Sequence, residues 1–562
     1  MAQQDVPLDI TLSATAERYR LVNCKEVVSN RMLCIEEYAE FPQTVYATLS
    51  YVWRGNALAA HNVVRLEFSV KGAEDADPIG LDVLHDACAA AIACGASHLW
   101  LDRLCIMQTS KTDKRWQIRE MYRLYCFSTV CIVVPGGLRF LVPLSEETQW
   151  IHRGWTLQEV VAPPAVAVLF SWAHGQGDAR STELEVVTPG RSSMMDLTAL
   201  LDACCKGYFD HGLQAGLDSP LRTDAFLFGK RPEVRSEEEY PNLTANMTAL
   251  GFAIHKNLDT EEMHDFSIWQ SALVRTSSRP VDMVLSIMGI LGVALDPGDF
   301  AEDDRVGATI ALAREILRQG RSASWLGVCV QIPPCPHLST FPAFPETSVA
   351  GKAIFDLPGG KRDALWALEA NYPNEAALCA LPKGSMDENG YLTFRAQAVL
   401  TSPVPLAGAG ILDDSLYDNT AQPRKLRAVD GSLWTIDVDN VPSDSESLTE
   451  IQSTHFPRTF AVLLGFYNGM PAETTGNNIR AMLVVEHAQG KYHVQSYFLL
   501  SFEALSWART WKERPFCLGG PDTTMQPLAK SRVAAWKVWL YSTIVALTSL
   551  AKHFQKWIHR WL

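Results

Sequence analysis

The chain has 562 residues, 47% of them hydrophobic and 20% charged, and carries a formal net charge of −14. That length suggests about three or four domains and suffices for a large core without a disulfide or metal staple; the apolar content excludes intrinsic disorder, a coiled coil and a collagen-like rod. The acidic balance argues against a nucleic-acid partner, which requires a basic surface.

Residues 1–44 read as a lead-in, and Met1-Ala2-Gln3-Gln4-Asp5 has neither the basic nor the apolar part of a secretory signal. From 45 to 175, short apolar runs alternate with helical patterns, the rhythm of a βαβ fold. The run 45–53 is β-branched and aromatic and stops at Gly55-Asn56. A helix begins at Leu81 and ends at Gly95, and a second strand covers Leu99-Trp100-Leu101. Residues 114–125 place Ile118, Met121, Tyr122 and Tyr125 on one helical stripe, and a third strand, 130–134, ends at Pro135-Gly136-Gly137. Near-continuous apolar strands between helices predict a parallel sheet covered on both faces, a three-layer α/β domain.

Residues 180–330 read as a helical domain, with helices predicted over 194–205, 283–291 and 306–317. Prolines 333, 334, 336, 342 and 345 mark 331–385 as a linker region. A mostly β domain is expected over 386–528, with a hairpin at Gln489-Gly490 and a solvated loop at 443–447. The end, 529–562, is basic and carries Trp536, Trp539, Trp557 and Trp561. It reads as a helix whose uncharged stretch, 538–551, falls short of the roughly 20 residues of a membrane span. Docking on the protein body, peripheral membrane contact through 531–562 and a tail anchor are its three open readings.

Thirteen scattered cysteines with no Cys-x-x-Cys pair indicate reduced thiols, hence a cytoplasmic protein, and no zinc site. The sequons at Asn242 and Asn246 are then idle. Phosphate-loop glycine patterns and His-Glu-x-x-His are absent, which excludes P-loop hydrolysis and zincin chemistry.

Three blocks remain: Leu49-Ser50-Tyr51-Val52-Trp53-Arg54-Gly55, then 99–108 (Leu-Trp-Leu-Asp-Arg-Leu-Cys-Ile-Met-Gln), then Arg153-Gly154-Trp155-Thr156-Leu157-Gln158-Glu159. In this order they resemble the fungal heterokaryon-incompatibility (HET) domain, and Ser278-Arg279-Pro280-Val281-Asp282 resembles a segment downstream of it. The family usually has Gly directly after the first tryptophan; here Arg54 intervenes, which leaves the loop after the first strand open. The resemblance implies non-self recognition and regulated cell death. It also implies a distant likeness to TIR domains, and with it a flavodoxin-like parallel sheet.

Some TIR domains cleave NAD, and Glu159 matches their catalytic glutamate, making NAD a substrate with no resident cofactor. Ser50, Tyr51 and Asp102 match TIR strand-end positions. Trp53 or Trp155 could stack on a base, and Arg54 or Arg153 could pair with pyrophosphate. Each has a plainer reading. Thr156-x-x-Glu159 is a capping box. Asp102 either positions a ligand or caps a loop and pairs with Arg103 or Arg153. For Trp155 the plainer reading is a core ring, for Ser50 a strand-end hydrogen-bonding residue, and for Cys105 a buried inert thiol rather than a nucleophile. Self-association through the first domain, an unidentified protein partner, and a catalytically inert scaffold all stay open.

Overall fold

The computed structural model describes residues 6–57, 66–173, 184–213, 220–229, 242–254, 260–357, 360–365, 378–404, 422–436, 457–467 and 479–520. The loop expected at 443–447 and the helix expected over 529–562 lie outside them. The chain divides into two compact units. The first holds Met1–Lys256, Val274–Arg305 and Thr347–Ala353; the second holds Asn257–Leu273, Val306–Glu346 and Ile354–Leu562.

The first unit is built on β1 (Tyr19–Asn23), β2 (Ile35–Tyr38), β3 (Tyr46–Tyr51), the short ladder β4 (Glu67–Phe68) with β5 (Ile79–Gly80), β6 (His98–Trp100), β7 (Cys131–Val134), β8 (Val166–Ser171), β9 (Leu184–Thr188) and β10 (Ser192–Asp196). Eight of these form one sheet in the order β2-β1-β6-β3-β7-β8-β10-β9. The centre, β6-β3-β7-β8, is parallel. Both flanks are antiparallel. The expected all-parallel sheet is therefore corrected to a mixed one. The apolar strands β3, β6 and β7 are buried throughout, as parallel strands must be, whereas the outermost strands are half-exposed.

Between the strands run α1 (Cys24–Asn30), α2 (Leu81–Ala93), α3 (Asp102–Cys105), α4 (Lys111–Cys126), α5 (Thr156–Val161), α6 (Leu197–Lys206), α7 (Ala245–Ile254) and, further on, α9 (Asp282–Met288) after α8 (Glu261–Leu273), which belongs to the second unit. The helix after Leu81 stops where expected, with Gly95 at φ +81°. The helix expected over 194–205 is split. Met194 and Met195 lie in β10, and Asp196 starts α6 by accepting from the amides of Thr198 and Ala199 at 2.8 and 3.3 Å. Asn242 and Asn246 are buried, so neither sequon offers an acceptor in the folded chain. The described cysteines form no disulfide.

In the second unit the Gln489-Gly490 turn joins Ile479–Ala488 to Lys491–Leu500 as an antiparallel hairpin. With Leu392–Pro403, Thr459–Tyr467 and Lys512–Leu518 these strands pair in a closed ring. Phe394, Phe460, Tyr492 and Phe516 make aromatic contacts with centroids 5.4 to 6.0 Å apart. The proline-rich stretch is not a spacer. Leu338–Pro342 is a fully buried strand, and Phe341 stacks on Trp325 at 5.1 Å. Among the described residues no helix is long and apolar enough to cross a membrane.

Candidate functional site

The strands β3 and β6 end side by side, and the segments leaving their carboxyl ends enclose a cavity of about 320 Å³. This is where an open parallel sheet ordinarily receives a ligand. Its lining includes Tyr51, Trp53 and Arg54 after β3, Asp102 after β6, and Arg153, Trp155 and Glu159 around the start of α5. Ser50 stands directly behind Glu159. All the residues named from sequence are thus brought to one place, although 109 positions separate Ser50 from Glu159.

Glu159 does not stitch its own helix. Helix α5 has no side-chain cap, and the Thr156 hydroxyl donates to the carbonyls of Trp150 (3.0 Å) and Arg153 (2.8 Å). The capping-box reading is therefore corrected. Thr156 is fully buried and its oxygen is committed to the preceding turn, so it cannot reach the Glu159 amide as a cap would. Instead Ser50 Oγ donates to Glu159 Oε2 at 2.5 Å and accepts from Trp150 Nε1 at 2.8 Å. Burial, opposed by the Ser50 hydrogen bond and aggravated by Asp102, pushes the Glu159 carboxyl up to about 8. A fully buried cation, Arg275, lies within electrostatic reach of it. Burial holds Arg275 down to about 9, and its Nη1 donates to Arg153 O at 2.9 Å and Thr156 Oγ1 at 2.8 Å.

Asp102 is the hub of the opposite wall. Oδ1 accepts from the Tyr51 hydroxyl and from the Arg103 amide (2.7 Å), and Oδ2 accepts from Trp53 Nε1 at 2.7 Å. Both of its oxygens are thereby engaged in fixing two aromatic rings of the cavity wall. Burial and the Asp102 charge hold the Tyr51 phenol protonated, as this donation requires. Arg103 lies over the Tyr51 ring at 5.4 Å instead of pairing with Asp102 through its side chain.

The two candidate pyrophosphate arginines fare differently. Arg54 is exposed at the rim, with Nε donating to Asp75 O at 2.8 Å. Arg153 Nη1 donates to Ser348 O (2.9 Å) and Val349 O (2.8 Å), which clamps a distant segment against the cavity. Trp155 hydrogen-bonds Asp282, whose carboxyl is raised by burial. Cys105 is buried and its thiol pushed up to about 12, an inert core residue.

The inserted Arg54 leaves Gly55 at a close backbone approach. A Cβ there would fall 1.9 Å from Gly136 O, while the Asn56 amide donates to that carbonyl at 3.0 Å. Sequence reading missed Lys114, Arg275, Arg279, Asp282 and the 348–350 segment. Only Arg279 and Asp282 carried a signal, in the downstream segment resembling the family. Among the described residues no cluster of three or more His, Cys, Asp or Glu could hold a metal.

Residues 46–139 match the model of the family described as Heterokaryon incompatibility protein (HET). The Vegetative incompatibility protein HET-E-1 of Podospora anserina is 26% identical over 157 residues, which cover 25% of this chain and 10% of that protein. The chain thus spans about a tenth of the length of that curated relative. No solved structure matches it significantly. The matched segment runs from the first cavity strand to the turn that meets Gly55, and with the three ordered blocks it places a heterokaryon-incompatibility (HET) domain in this part of the chain.

Proposed function

We propose that this chain is an incompatibility factor acting in the cytoplasm in non-self recognition and regulated cell death, and that its HET domain cleaves the nicotinamide–ribose bond of NAD at Glu159. The observation that carries the reading is the attachment of Glu159. Its carboxyl is held by Ser50 at the cavity, away from its own helix, and Oε1 has no hydrogen bond among the described residues.

Nicotinamide leaves NAD with the electron pair of the broken C–N bond, and positive charge develops on the ribose. An ionised Glu159 beside the ribose stabilises that charge and accepts hydrogen bonds from its hydroxyls. Water then supplies the hydroxyl that forms the new C–O bond, and its proton is released, giving ADP-ribose and neutral nicotinamide. Burial keeps this carboxyl protonated at neutral pH, and the charge of an incoming cationic nicotinamide draws the proton off and releases the ionised form for this role.

Incubation of the purified, concentrated chain with NAD is expected to release nicotinamide, and Glu159→Gln to slow the release at least about a hundredfold. Intact NAD, with no difference between the two proteins, would overturn the chemistry.

A second reading also has an observation in its favour. At neutral pH the raised carboxyl holds Glu159 neutral beside the Ser50–Trp150 hydrogen bond, which suits an inert, self-associating scaffold. In that case surface charge reversals abolish signalling while Glu159→Gln is silent.

A further inference from the structure

The cavity contains cations that the reading above has not used. Lys114, in the first turn of α4, and Arg279, just before α9, both line it. Lys114 Nζ has no hydrogen bond among the described residues. Three carboxylates, Asp75, Asp102 and Glu74, lie within its electrostatic range, and none is hydrogen-bonded to it among the described residues. Asp102 is saturated by Tyr51, Trp53 and the Arg103 amide, and Glu74 Oε1 accepts from the Gly72 amide at 2.8 Å. Among the described residues the Arg279 side chain forms one ion pair, with Glu302 at 3.2 Å and mostly in solvent, where it holds weakly, and Asp282 lies within its electrostatic reach. Burial and, less strongly, Arg279 depress the Lys114 ammonium against the opposing pull of Asp75, Asp102 and Glu74.

Asp75 and Asp282, which line the same cavity, offset these two cations only through space, so the donors of both remain available to an incoming anion. Arg153, by contrast, already spends Nη1 on two carbonyls.

We infer that Lys114 and Arg279 form a phosphate subsite of this cavity, which selects a nucleotide carrying a pyrophosphate. The phosphate-binding role expected of Arg153 passes to them, and Arg153 instead fixes the 348–350 segment. The inference rests on the reading that the ribose meets Glu159, since it places the two phosphates along the same cavity. Arginine pairs with phosphate through a two-pronged fork and lysine as a point charge, so one of each can hold adjacent phosphate groups.

Calorimetric titration of the full chain with ADP-ribose, and separately with adenosine, tests it. ADP-ribose should bind the unaltered chain. Lys114→Met and Arg279→Gln should each weaken ADP-ribose about tenfold and leave adenosine unmoved, and Lys114→Arg should retain most of the affinity. Unchanged melting temperatures would confirm that the variants are folded. No ADP-ribose binding, unaltered affinity in both variants, or equal losses for adenosine and ADP-ribose would overturn the subsite. The two proposals fail separately. ADP-ribose binding through Lys114 without NAD cleavage keeps the subsite and ends the chemistry. Cleavage at low NAD that Lys114→Met and Arg279→Gln leave unchanged does the reverse.

Discussion

Glu159 shows how one carboxyl can be set by its surroundings rather than by its neighbours in sequence. Its ordinary value is 4.5; in the fold, burial raises it to about 8. The folded chain therefore holds this proton more tightly than the unfolded chain. The stabilisation is complete below pH 4.5 and is lost as pH rises through 8. Glu159→Gln has no such proton to lose. Its melting temperature relative to the unaltered chain should rise between pH 5 and pH 8, by about a few degrees at the upper end. Thermal melts at the two pH values measure this, and a constant difference would show that the carboxyl titrates normally. If the ionised form is the catalytic one, kcat/KM for NAD should climb over the same interval, since that ratio reports the free enzyme.

At the scale of elements, the lead-in 1–44 turns out to be part of the fold. Strand β1 pairs with β6, and its Arg20 is buried with Asp113 of α4 at 3.1 Å while donating to Cys105 O at 2.8 Å. Asp113 in turn accepts from the amides of Glu17 and Met107, both at 2.8 Å. One buried pair thus ties the first strand to the segment that follows Asp102. Arg20→Ala would leave Asp113 charged and buried without its main partner, at a cost of about 3–5 kcal/mol. The loss should appear as an earlier midpoint in urea denaturation; an unmoved midpoint would mean that the pair contributes nothing. Tyr19-Arg20-Leu21-Val22-Asn23 was not legible as a core strand because a charged residue stands where a buried strand calls for an apolar one.

At the scale of the molecule, the cavity is assembled from pieces far apart in the chain. Glu159 and Ser50 lie in the domain foreseen over 45–175, but Arg275, Arg279 and Asp282 come from the stretch read as a separate helical domain, and Val349 from the proline-rich one. The division into two units passes through both stretches. A fragment limited to 45–175 lacks β1, β10 and Arg275 and should fail to fold cooperatively. Circular dichroism on heating measures this, and a sharp transition in that fragment would show that the parallel centre stands alone.

Local pattern alone determined β3, β6 and β7 of the parallel centre, the helices beginning near Leu81 and Lys114, and the hairpin at Gln489-Gly490, because apolar periodicity and turn residues act between close neighbours. The three blocks likewise marked the strand ends where a cavity would open. Periodicity could not place the antiparallel flanks: β10 is too short to separate from the helix it precedes, and β1 hides a buried arginine. Nor could it decide between a cap and a cavity for Glu159. Thr156-x-x-Glu159 satisfies the cap pattern, and only the approach of Ser50 and Trp150 draws the carboxyl away. That choice is made by burial and long-range hydrogen bonding, which no window of sequence contains.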